Sequence, residues 1–95
     1  MSATVPSPVL IVYRRAQCHL CDDLRGVLHA ALEDRASRGE AVPIVREVEV
    51  STDPELESRY GGLVPVLALA GQELPLAMSD RQVRAFLDRT LPRLA

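Results

Sequence analysis

The unbroken apolar run Val9-Leu10-Ile11-Val12-Tyr13 opens the patterned part of the chain. Its residues are mostly β-branched or aromatic, which predicts a strand buried on both faces in a central, parallel position. Arg14 to Gln17 form the loop that leaves it. From Asp22 the period becomes helical: Leu24, Val27, Leu28, Ala31 and Leu32 recur at i, i+3, i+4, i+7 and i+8 and make one apolar stripe. Asp22 and Asp23 suit a first turn, where the helix dipole favours negative charge. Gly39 is the expected stop, with Pro43 just beyond it.

Pro43 to Val50 reads as a second strand. Ile44, Arg46, Val48 and Val50 fall on one face and Val45, Glu47 and Glu49 on the other. This mixed pattern predicts a place nearer a sheet edge. Thr52 with Glu55 fits a capping box around Pro54, so a short helix is expected from there to Gly61-Gly62. Val64 to Ala70 predicts a third strand, turned through Gly71-Gln72 into a partner over Glu73 to Met78. Pro75 cannot donate to a ladder, which assigns that partner to the edge. Ser79 to Gln82 repeats the capping box. Val83, Phe86, Leu87, Leu91 and Leu94 supply the stripe of a last helix. The predicted order is β-α-β-α-β-β-α, an α/β domain without repeats.

Composition narrows the class. The chain has 95 residues, 47% of them hydrophobic and 25% charged, with a net charge of −2. That length holds a single domain. We take residues 1–8, small, polar and proline-containing, as a flexible N-terminus and 9–95 as the domain. No clustered excess of basic residues marks a nucleic-acid footprint. No apolar run approaches the roughly 18 residues of a membrane span. The expectation is a cytoplasmic monomer that binds neither nucleic acid nor membrane.

The two cysteines change the picture. Cys18 and Cys21, in Gln17-Cys18-His19-Leu20-Cys21-Asp22-Asp23, lie between the first strand and the first helix. A helix N-terminus offers unpaired N–H groups and the positive end of the dipole, and both favour a thiolate. In a reducing cytosol such a pair points to catalysis or metal binding. A structural zinc site wants four ligands. The candidates, Cys18, Cys21, His19 and His29, do not make a complete one at this spacing, and no metal is expected. The dithiol reading assigns Cys18, at the helix tip, as nucleophile. Cys21, a turn further on, would be the resolving thiol, at little loop-closure cost. His19 assists the thiolate if protonated. Arg15 is placed to attract a substrate carboxylate, and Asp22 and Asp23 work against the thiolate unless they point to solvent.

The element order, with Cys-x-x-Cys opening the first helix, resembles the thioredoxin fold in its glutaredoxin-like form. Leu63-Val64-Pro65-Val66 at the third strand, Tyr60-Gly61 before it, and Gly71-Gln72-Glu73-Leu74 after it are similar to small bacterial glutaredoxin-like proteins. The likeness spans roughly residues 9–94. It implies a four-stranded mixed sheet with helices on both faces. It also implies a cis Val64-Pro65 bond facing the cysteines, and substrate contacts from Arg15, His19, Val64, Pro65 and Asp80. Three places depart from the glutaredoxin pattern: His19-Leu20 stand between the cysteines where Pro-Tyr is usual, Leu63 in place of Thr, and Ala77-Met78 in place of a Gly-Gly stretch.

The resulting expectation is a thiol-disulfide oxidoreductase without a tightly bound cofactor. Its partners would be disulfide-containing proteins or glutathione mixed disulfides. Glutathione or a reductase would act as electron donor, and the departures predict weak glutathione dependence. The rival expectation is a non-catalytic thioredoxin-fold module that senses redox state or holds a partner.

Overall fold

A computed structural model describes residues 8–91. The expectations for a flexible N-terminus at residues 1–7 and for Leu94 in the last stripe lie outside them. Strand β1 runs Val9–Arg14, helix α1 His19–Ser37, strand β2 Ile44–Glu49, helix α2 Pro54–Tyr60, strand β3 Val66–Leu69, strand β4 Gln72–Leu74 and helix α3 Asp80–Thr90. One 3-10 turn, Val50–Thr52, joins β2 to α2. The sheet order is β2-β1-β3-β4. β2 pairs parallel to β1, while β3 and β4 pair antiparallel. The predicted mixed sheet, the central first strand and both edge strands are therefore present.

Strand alternation splits the core between two faces. Leu10 and Val12 of β1 and Leu67 and Leu69 of β3 point to one side. There they meet Leu24, Leu28 and Ala31 of α1 and Val83, Phe86 and Leu87 of α3. On the other side Val66 packs with Val50, Tyr60, Tyr13, Leu56 and Val64, under α2. Helices thus cover both faces, but unequally. α2 has 7 residues, about 10 Å of helix, and sits at the Tyr13 end. Val9 and Ile44, paired at the other end, stay exposed. The expectation that β1 is buried on both faces is corrected there by the shortness of α2.

Four element boundaries also differ. The cap of α2 is Asp53, whose side chain accepts from the Glu55 N–H at 2.9 Å, not Thr52. Pro54 at the first helical position forces residue 53 into the extended conformation of a cap, while Thr52 donates to the Glu49 carbonyl. The hairpin turn is Ala70-Gly71, one residue earlier than expected, because Leu69 pairs with Gln72. Both turn residues have positive φ, 54° and 77°, as a type I′ turn requires. β3 starts at Val66 and β4 ends at Leu74, since Pro65 and Pro75 cannot donate to the ladder. Ser79 caps α3 as predicted, accepting from the Gln82 N–H.

Candidate functional site: a dithiol at the first helix

Cys18 is the N-cap of α1, with extended backbone (φ −111°, ψ 108°). Its Sγ accepts a hydrogen bond from the Cys21 N–H at 3.1 Å. The sulfurs of Cys18 and Cys21 lie at disulfide distance, with Cα atoms 5.2 Å apart. The two are unequally accessible: Cys18 is half-buried, whereas Cys21 is 3% exposed on the core side of the helix. Periodicity explains this, because Cys21 leads the buried series Cys21, Leu24, Leu28, Ala31 and Arg35. Gln17, with φ 58°, turns the chain sharply into the cap.

The other residues singled out by the sequence divide into two groups. The antiparallel pairing Tyr13↔Val66 brings the end of β1 to the start of β3. The loop carrying Arg15 and Cys18 and the Val64-Pro65 segment therefore leave the sheet at the same end. The Val64-Pro65 bond is cis; Pro65 is buried and Val64 half-buried. The Pro65 carbonyl accepts from the Ala77 N–H and the Leu63 carbonyl from the Leu76 N–H, both at 2.9 Å. His19 is exposed on the first turn of α1. Asp80 opens α3, three residues after Ala77, and its side chain is already engaged. Its carboxylate holds Arg84, at 2.8 and 2.9 Å. Arg84 also reaches Asp34, which is about 20 Å along α1 from Cys21. Asp80 is thus tied into the α1–α3 seam. His29 is exposed, with Glu33 one turn further on, and does not join the sulfurs.

Sequence reasoning singled out Arg15 but not its partner Glu57, nor Arg14, Tyr13 or Glu73. Arg15 is paired with Glu57 of α2 and also donates to the Gly61 carbonyl at 3.1 Å. Glu57 holds the Arg15 guanidinium above its ordinary pKa. Arg14 is paired as well, with Asp22 at 3.3 Å and Glu47 at 3.7 Å. Tyr13 and Tyr60 stack with ring centroids 4.1 Å apart. The Tyr60 hydroxyl donates to Glu73. Burial, then that hydrogen bond, pushes the Tyr60 pKa up. The apolar position of Tyr60 on α2 was readable from sequence; its partners, on β1 and β4, were not.

A cysteine pair in this position, on this sheet order, defines a redox-type domain of the thioredoxin-like fold. The chain belongs to the glutaredoxin-like domain family (DUF836), which it matches over residues 9–89. It is similar to the target protein XcR50 from X. campestris, solved by X-ray diffraction and in solution. The X-ray structure is 37% identical, with a TM-score of 0.67, covering 84% of this chain and 96% of that one. The solution structure is 36% identical, with a TM-score of 0.65, covering 90% and 97%. Protein Ne2328 from Nitrosomonas europaea shares the fold at 22% identity, with a TM-score of 0.65 over 90% of this chain and 98% of that one. No curated protein matches the chain. No helix among the described residues is long and apolar enough to cross a membrane.

Proposed function

We propose that the protein is a thiol-disulfide oxidoreductase in which Cys18 attacks and Cys21 resolves. The observation that carries this reading is the Cys21 N–H aimed at the Cys18 sulfur from the first turn of α1. A backbone donor and the helix dipole both favour negative charge on that atom. In the reduced protein the Cys18 thiolate attacks one sulfur of a substrate disulfide. The substrate S–S bond breaks, a mixed disulfide forms, and the departing substrate thiolate takes up a proton. Cys21 then loses its proton and attacks the Cys18 sulfur. The second substrate thiol leaves, and the protein keeps the Cys18–Cys21 disulfide. Two electrons have passed to the substrate.

In this reading His19, Val64 and Pro65 form the rim on which an extended substrate docks, with Val64 offering backbone groups for strand-like pairing. Arg15 is the rim cation. Asp80 is already held by Arg84, and no substrate role is proposed for it. Disulfide-containing proteins are the proposed partners, with a protein reductase or glutathione returning the electrons.

Turnover of a model mixed disulfide tests the proposal, with intact mass recorded after incubation with oxidised glutathione. The unmodified protein is expected to turn over and to end as an internal disulfide. Cys21→Ser is expected to accumulate a Cys18 adduct and to lose most of its activity. Single-equivalent exchange without turnover overturns the catalytic reading in favour of a redox-sensing module. Full activity in Cys21→Ser removes Cys21 from its resolving role.

A further inference from the structure

We propose that Glu57 occupies Arg15, the cation on the loop that leads to the dithiol, and that it thereby sets the site against negatively charged small thiols. The inference rests on the oxidoreductase reading and deepens it by naming a class of electron donor that the site disfavours. Arg15 stands three residues before Cys18, on the loop that delivers it. An unpaired guanidinium there would gather anionic thiols beside the sulfur. Instead Arg15 gives Nη2 both to Glu57 and to the Gly61 carbonyl at 3.1 Å. Arg14 is likewise held by Asp22 and Glu47. A ligand carboxylate or sulfonate must displace Glu57 or approach against its charge. A neutral thiol, or a protein thiol with no acid at this point, meets neither obstacle.

Two further observations indicate that this position is built for the pair. A Cβ at residue 61 would lie 2.5 Å from the Glu57 carbonyl oxygen, 2.7 Å from Glu57 Oε1 and 3.0 Å from Arg15 Nη2. The α2 backbone and the ion pair together fill the space that any other side chain at 61 would need. Glu57 Oε2 is shielded from solvent yet has no hydrogen-bond partner. An ion pair near the surface adds little stability, and an unmatched, shielded carboxylate oxygen subtracts from it. Fold stability is therefore a poor reason for an acid at 57, whereas occupation of Arg15 is a direct one.

The test reduces the Cys18–Cys21 disulfide with 2-mercaptoethanesulfonate, which is anionic, and with 2-mercaptoethanol, which is neutral. In each case one thiolate opens the disulfide to a mixed disulfide and a free protein thiol. A second equivalent then leaves with the first as the oxidised small disulfide, so two electrons enter the protein. The quantity read is the anionic-to-neutral rate ratio, in which the intrinsic reactivity of the two reagents cancels between variants. Glu57→Gln is expected to raise the ratio about two- to fivefold at low salt, the range of an exposed ion pair. About 1 M salt should erase the gain. Arg15→Gln combined with Glu57→Gln should return the ratio to its starting value. Glu33→Gln makes the same charge change about 20 Å along α1 and should leave the ratio alone. Glu57→Ala serves as a second variant if Glu57→Gln does not fold. An unchanged ratio in the Glu57 variants, or an equal rise in Glu33→Gln, overturns the proposal. Failure of dithiothreitol to reduce the unmodified protein's disulfide defeats the oxidoreductase reading itself, so the two failures are distinct.

Discussion

Cys18 does at the start of α1 what Ser79 does at the start of α3. Each has extended backbone, and each side chain accepts the N–H three residues on, at 3.1 and 3.0 Å. A serine oxygen in that place is a structural cap. A sulfur in the same place would also serve as the nucleophile of the proposed reaction, and the bond that caps the helix would favour its thiolate. Three residues later the same helical period carries Cys21 into the core. The two thiols should consequently differ in reaction rate. With iodoacetamide at neutral pH, Cys21→Ser, which keeps Cys18, is expected to alkylate at least about tenfold faster than Cys18→Ser. Alkylation followed by mass measures it, and equal rates would show that the helix tip does not distinguish the sulfurs.

Turn and cap chemistry decides where the elements begin and end. The β3–β4 hairpin places Ala70 at φ 54° beside Gly71 at φ 77°. A left-handed conformation costs an ordinary L-residue roughly 1–2 kcal/mol, and Asn tolerates it best among residues with a side chain. Ala70→Asn creates the Asn-Gly pair that type I′ turns favour. It should stabilise the fold by about 0.5–1 kcal/mol. For a domain of this size that is a rise in Tm of roughly 2–8 °C, readable by thermal melting. A fall in Tm would mean that the turn is not the type I′ geometry described.

Across the whole molecule, polar contacts tie together elements distant in sequence. Arg35, on the buried face of α1, donates to the Ala41 carbonyl at 2.8 Å and to Asp88 of α3 at 2.7 Å. It joins α1, the approach to β2 and α3 at one point. Tyr60 does the same between α2, β1 and β4 through Tyr13 and Glu73. Its raised pKa has a consequence for stability. Below pH 10, the ordinary tyrosine value, both folded and unfolded chains keep the phenol proton. Above it the unfolded chain ionises first and is favoured, so stability falls as pH rises past about 10. All 11 basic side chains are arginines, so no lysine titration overlaps this window. Denaturant midpoints between pH 9 and 11 should decline in the unmodified protein and decline less in Tyr60→Phe. Parallel declines would assign the alkaline loss to another group.

The sequence by itself determined the element order, the central place of β1, the two edge strands, the stripes of α1 and α3, and Cys18 at the helix start. These features rest on local periodicity, on proline's missing N–H and on helix-end chemistry, all written within a few neighbouring residues. Boundaries shifted where two local signals competed: Thr52 fitted a capping box, but Pro54 fixed the cap at Asp53. Only the tertiary structure decided that Arg15 is taken by Glu57, that Asp80 is turned to Arg84 and that Tyr13 stacks on Tyr60. Asp80 to Arg84 spans one helical turn, yet Arg84's second bond, to Asp34, fixes that pair in the seam between helices. Arg15 and Glu57 lie 42 residues apart, and a charged side chain has several acids within sequence reach. Which of them it meets depends on the β1–β3 register and on the length of α2, and so on how the packed elements bring distant side chains together.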